Sequence, residues 1–227
     1  MDAATVRWKR SRSTPFGFTL VEIMIALAIV GVLTAIAVPN FIRFQARSKQ
    51  SEAKTNLRAL FTSEKSYFGE REAYSPFARL IGFTPERGNR YAYRLTPGCG
   101  NPEVRAGGAV ANASPLTIDC VEVDLGRYPG AVAQPATAGG VPVWLPPANN
   151  PTTPASISDA ASTLAGCPIC SFSGSAAGNV DTDAVIDTWF ISSVDATVVA
   201  GPCWEGTPAG GNNPAGQPFN LNNDVGC

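Results

Sequence analysis

From Phe18 to Val38 the chain is apolar for 21 residues, with Glu22 as its one charge. An α-helix rising about 1.5 Å per residue would carry this stretch across roughly 30 Å, the thickness of a bilayer's hydrocarbon. Beyond Pro39 the pattern turns amphipathic. Phe41, Phe44, Leu57, Leu60, Phe61 and Phe68 recur near helical spacing, with Arg43, Arg47, Lys49, Lys54, Arg58 and Lys65 between them. The two patterns together predict one helix over 18–69, its second half laying an apolar stripe on a head. Pro39 lacks a backbone donor and should kink the helix or interrupt its hydrogen bonding. Residues 70–90 predict a loop broken at Gly82, Pro85 and Gly88. Strands are expected at Tyr91–Leu95, Leu116–Val123, Val141–Leu145, Val185–Ser193 and Thr197–Val199. Segments 129–158 and 206–220, rich in Pro, Gly, Ala, Asn and Thr, read as exposed loops. The fold class is α+β: a long N-terminal helix, its apolar half protruding, packed on an antiparallel meander with long loops.

Charge sharpens this division. The net charge is −1, but it is strongly polarised. Residues 1–17 hold Arg7, Lys9, Arg10 and Arg12 against Asp2. Residues 41–105 hold twelve basic against six acidic side chains, and residues 106–227 hold Arg127 against ten carboxylates. The basic cluster before the apolar helix orients it with residues 1–17 in the cytoplasm and the remainder outside. Arg43, Arg47 and Lys49 follow the span directly, where lipid headgroups or acidic neighbours would meet them. Nothing in the sequence marks a nucleic-acid partner.

Three readings compete for the apolar segment. Ala35-Ile36-Ala37 has the small residues of a signal-peptidase site, but the stretch is long for a signal and Pro39 lies close behind. A plain signal-anchor explains everything except Glu22, since a carboxylate in hydrocarbon is costly without a partner. The third reading supplies that partner. Gly17-Phe18-Thr19-Leu20-Val21-Glu22 resembles the processing site of type IV prepilins. The resemblance implies cleavage between Gly17 and Phe18 by a prepilin peptidase, methylation of the new Phe18 amine, and pairing of Glu22 with such an amine on a neighbouring subunit. Gly31 and Pro39 also match family positions used in assembly. Phe44–Leu57 and Glu86–Arg94 are similar to the major type IVa pilin of gliding myxobacteria, and parts of 160–227 are so more loosely.

The resemblance divides the chain into a leader at 1–17, a membrane and filament-core segment at 18–40, and a head at 41–227. It implies a subunit that waits in the inner membrane, its head periplasmic. Assembly machinery would then polymerise it with its own kind into an extracellular, retractile filament for adhesion and surface motility. A minor pilin or a type II secretion pseudopilin shares the N-terminal motif and stands as the alternative.

Catalytic chemistry has little to work with. Histidine is absent, which removes Ser-His and Cys-His pairs and most zinc hydrolase sites. Cys167-Pro168-Ile169-Cys170 has thioredoxin-like spacing, so a tethered thiol-disulfide enzyme is a third reading, but no βαβ unit surrounds it. Six cysteines in an exported chain fit structural disulfides, with 15 connectivities. Pairs closing nearby loops would be Cys99–Cys120, Cys167–Cys170 and Cys203–Cys227, the last resembling the C-terminal disulfide loop of pilins. No cofactor is required. Asn179, Asp181, Asp183 and Asp187 space their oxygens like part of a calcium loop but lack its central Gly and final Glu, which favours a solvated acidic turn.

Overall fold

The computed structural model describes residues 17–95, 99–107, 115–136, 142–144, 171–181, 183–198 and 211–226. Two compact units divide at Ile42/Arg43. Helix α1, Leu20–Arg71, runs through Pro39 without a break in its assignment. That proline deprives the Ala35 carbonyl of its intrahelical donor. One residue on, Asn40 Nδ2 donates to the Ile36 carbonyl (3.1 Å), while Thr34 Oγ1 donates to the carbonyls of Val30 (2.9 Å) and Gly31 (3.0 Å). The polar side chains of the apolar half are thus satisfied by their own helix, as a hydrocarbon environment demands.

In the second unit the helix buries Ala46, Gln50, Ala53, Leu57, Leu60 and Glu64, an alternation of steps of four and three that forms one stripe. Leu57 and Leu60 are where the sequence pattern puts them. Phe44 is not, since it is 69% exposed. Gln50 and Glu64 take inward places that hydropathy would give to apolar residues.

The stripe packs on a six-stranded sheet. Its strands are β1 (Ala92–Arg94), β2 (Pro102–Glu103), β3 (Cys120–Val121), β5 (Ser173–Gly178), β6 (Asp187–Ser192) and β9 (Phe219–Asn222), in the order β2-β3-β1-β5-β6-β9. β4 (Pro142–Trp144), β7 (Ala196–Val198) and β8 (Gly211–Asn213) form a second sheet in the order β4-β7-β8. The main sheet is mixed rather than purely antiparallel, because β2 and β3 pair in parallel. The connection across 104–119 is long enough for the return that a parallel pair needs. Register matches Tyr93 to Val121 on one side and to Ala176 on the other, and the β6–β9 pairing is irregular between Thr188 and Trp189.

Several elements depart from the sequence expectations. Residues 115–117 form a 3-10 turn, so only the end of the expected strand Leu116–Val123 is extended. The expected loop 206–220 contains β8 and the start of β9, whereas β4 falls on the expected strand Val141–Leu145. β5 is absent from the expectations altogether, for its sequence SGSAAG has low strand propensity. Packing explains it. A Cβ on Gly174 would meet Leu60 Cδ2 at 3.0 Å, and one on Gly178 would meet the Arg90 carbonyl at 2.8 Å. Small residues let this fully buried strand lie close beneath the helix. Past the end of the helix, residues 72–90 are turn and coil as expected, with Gly82 and Gly88 at φ of 78° and 89°.

Candidate functional site

Gly17 and Phe18 lie in exposed coil just ahead of the helix. Thr19 and Glu22 then close the first turn reciprocally. The Glu22 amide donates to Thr19 Oγ1 (3.2 Å), and the Glu22 carboxylate accepts the Thr19 amide (3.4 Å) and hydroxyl (3.5 Å). This is a capping box, in which two of the helix's otherwise unpaired amides are satisfied and the acid sits at the positive end of the helix dipole. Thr-x-x-Glu at 19–22 is the sequence signal for this geometry, and weighing Glu22 by its charge alone passes over it.

From this cap the helix presents apolar side chains on every face. Phe18 is 78% exposed and Leu20 76%, and Leu27, Val32 and Ile36 are similarly bare. Among the described residues one helix is long and apolar enough to cross a membrane, and it begins here. Burying each such side chain is worth roughly 1.5–3 kcal/mol, so hydrocarbon or other apolar helices would stabilise the segment. Gly31 has open space beside its Cα, with nothing within 4 Å of the point a Cβ would occupy, and can admit a second backbone closely.

In the second unit, the segment Glu86–Arg94 joins helix to sheet. The Glu52 carboxylate accepts the Arg90 amide (2.9 Å) and the Tyr93 hydroxyl (3.2 Å). Asn89 Nδ2 donates to the carbonyls of Tyr91 (2.8 Å) and Glu122 (2.7 Å). Arg105, 2% exposed, donates to Asn89 Oδ1 (2.7 Å) and to the carbonyls of Pro85 (2.8 Å) and Glu86 (2.9 Å). It also pairs with fully buried Glu103 at 2.6 Å, whose other oxygen takes Arg79 Nε at 2.6 Å. Arg87 pairs with Asp124 (2.9 Å), and that guanidinium, with the amides of Gly88 and Gly126, holds the Asp124 carboxyl at about 2.

The expected ligand set at 179–187 is not what the fold assembles. Asp187 faces inward and is fully engaged. Its Oδ1 accepts from Gln50 Nε2 (3.0 Å) and Asn220 Nδ2 (3.0 Å), its Oδ2 from the Tyr91 hydroxyl (2.6 Å) and Trp189 Nε1 (2.5 Å). Burial pushes its carboxyl up, against the pull of those donors. Asn179 is occupied in its own turn: Nδ2 donates to the Asp183 carbonyl and Oδ1 accepts the Asp181 amide. Asp181 and Asp183 instead gather with Asp224, from a 3-10 turn at Asp224–Gly226. Burial first, then the charges of Asp181 and Asp183, push the Asp224 carboxyl up to about 7. No local signal in the sequence joins Asp224 to this loop.

Cys99 and Cys120 form a disulfide between residues 21 apart, with Cα atoms 5.5 Å apart. Asp119 beside them accepts the amides of Gly100 and Asn101, so this corner is covalently closed and its carboxylate engaged. Cys167, Cys170, Cys203 and Cys227, and the basic residues of 1–16, lie outside the described residues.

The described chain thus combines a capped, exposed apolar helix with a helix-on-sheet α+β head. The type IV pilin PilA family matches residues 44–187, and the prokaryotic N-terminal methylation motif matches 13–38. The chain belongs to the type IV pilin family, whose members are structural proteins. It is 45% identical over 220 residues to the type IV major pilin protein PilA of Myxococcus xanthus, covering 93% of each chain. It is 38% identical over 74 residues to the type IV major fimbrial protein FimA of Dichelobacter nodosus, covering 32% of this chain and 46% of that one. With the fimbrial protein EcpC of Eikenella corrodens it shares 57% over 37 residues, 16% of this chain and 24% of the other. These shorter matches cover only part of their relatives, whereas the Myxococcus match runs nearly the length of both chains.

Proposed function

We propose that this chain is the major subunit of a type IVa pilus, cut between Gly17 and Phe18 and polymerised through the helix that begins there. The observation that carries the reading is the bare apolar helix headed by Thr19 and Glu22, in a chain alignable over 93% of its length with a major pilin. Residues 1–17 act as a leader on the cytoplasmic side, where a prepilin peptidase removes them and the Phe18 amine is methylated. Residues 18–40 hold the subunit in the inner membrane, with 41–227 in the periplasm, until assembly machinery moves it into an extracellular filament. The filament serves adhesion and, by extension and retraction, surface motility. The role is structural rather than enzymatic, and Cys167 and Cys170 serve the fold.

Before assembly Glu22 is held by Thr19; in the filament it pairs with the Phe18 amine of a neighbour. A charge in hydrocarbon is tolerable when paired, and the pairing penalises wrong registers. Two variants separate capping from charge. Glu22→Gln keeps the capping box and removes the charge, whereas Glu22→Ala removes both. Both proteins should accumulate in the membrane at wild-type levels and yield at least tenfold fewer sheared filaments. Normal piliation in Glu22→Gln would refute the pairing.

A further inference from the structure

We propose that Asp181, Asp183 and Asp224 form a calcium site that ties the β5–β6 loop to the C-terminal segment. One carboxylate oxygen from each lies within 4.8 Å of the other two. Oxygens bound to a single ion at about 2.4 Å can be no further apart than about 4.8 Å, so the three already lie within the reach of one calcium. Asp181 and Asp183 are exposed, which leaves room for water ligands and a path of entry.

Asp224 is the independent observation. It is 2% exposed; its Oδ2 accepts the Val180 amide at 3.0 Å, and its Oδ1 has no hydrogen-bond partner among the described residues. A buried carboxylate oxygen with no donor is costly, and this one belongs to a group of three acids. Arg90 and Arg127 line a cavity with Asp181 and Asp183, and Lys49 also faces the group. Lys49 Nζ donates to the Val180 carbonyl (2.6 Å) and interacts with the charges of Asp181 and Asp224.

The ligand chemistry selects the ion. All three donors are carboxylates, which suit hard cations, and thiolate or imidazole ligands of the kind zinc prefers are lacking in this group. Calcium accepts an irregular shell of six to eight oxygens completed by water, whereas magnesium demands near-ideal octahedral geometry. Ligands from one loop and from a remote terminal turn give an irregular shell. Asp181 and Asp183 are fixed in position, since Asp181 Oδ1 accepts the Asp183 amide (2.9 Å) and Asp183 Oδ1 accepts the Val185 amide (2.7 Å). The ion would therefore bring little rearrangement and would clamp the turn after β9 against the loop before β6.

The test is a calcium chloride titration of the full mature chain in detergent micelles after treatment with EDTA, followed by calorimetry and by thermal melting. One calcium per chain is expected, with a rise in Tm of roughly 5–10 °C when calcium is about 100-fold above its Kd. Magnesium should bind at least tenfold more weakly. Asp181→Asn/Asp183→Asn changes only exposed side chains, keeps their amide-accepting oxygens, and should abolish the rise without lowering the Tm measured in EDTA. Asp224→Asn should abolish it as well. No shift up to about 10 mM calcium, above the range typical of extracellular calcium modules, would overturn the site. So would an undiminished shift in the Asp181→Asn/Asp183→Asn chain. Neither result bears on filament assembly, which is read from different residues.

Discussion

Replacing Glu64 with Gln should make the subunit more stable at neutral pH and leave it nearly unchanged in acid. Glu64 is fully buried on the inward stripe of α1. Its Oε2 accepts the Ser75 amide at 3.3 Å, and its Oε1 has no partner among the described residues. Burial pushes the carboxyl from 4.5 up to about 8, against a small opposing pull from the Ser75 amide. Below pH 4.5 the group is protonated in folded and unfolded chains alike and has no pH-linked cost. Between 4.5 and about 8 the folded chain keeps a proton that the unfolded chain releases, so stability falls as pH rises. At about 1.4 kcal/mol per unit, the loss by pH 7 is roughly 3 kcal/mol, and Gln, which does not titrate, escapes it. The amide brings its own pH-independent offset of about 1 kcal/mol, which cancels when the two proteins are compared across pH. Thermal melts of both full-length proteins in detergent, from pH 4 to 9, measure the difference directly. For a chain of this size the gap in Tm should open by roughly 6–12 °C between pH 4.5 and 7.5. A gap that stays constant across that range would refute the reasoning.

Two further substitutions probe the packing of the head. Arg105→Met leaves Glu103 with only Arg79 and strips donors from Asn89 and from the Pro85 and Glu86 carbonyls; it should cost roughly 3–5 kcal/mol in urea unfolding. A loss below about 1 kcal/mol would show that the buried pair contributes little. Gly178→Ala places a methyl 2.8 Å from the Arg90 carbonyl and should destabilise by about 1–3 kcal/mol, seen as a lowered Tm. An unchanged Tm would mean that β5 does not need its small residues.

The helix is legible in the sequence because its two signals are local: an unbroken apolar run, then a stripe at helical spacing. Its boundaries fall within two residues of expectation, at Leu20 and Arg71. The stripe departs from the pattern at Phe44, which the head does not bury, and at Gln50 and Glu64, which it does. Gln50 faces inward because Asp187 and Asn223 wait there to accept its amide, and those partners lie over a hundred residues away. β5 is invisible for a similar reason. Its Ser, Gly and Ala residues carry no strand signature, and the need for them arises from the close approach of Leu60 and Tyr91. The acidic turn at 179–187 shows the limit most plainly. Spacing draws attention to Asp181 and Asp183, which the fold gathers with Asp224, but it includes Asp187, which the core consumes, and cannot find Asp224. The Thr19 cap is within reach of sequence alone, since Thr-x-x-Glu before an apolar run is a helix-start pattern.

The central claim is that this chain is cut before Phe18 and built into a surface filament. Intact-mass and N-terminal analysis of the main protein in filaments sheared from the cell surface tests it most directly. The account predicts a chain of residues 18–227 beginning with N-methylphenylalanine. A filament protein that begins at Met1 or at Val38, or filaments from which this chain is missing, would contradict it.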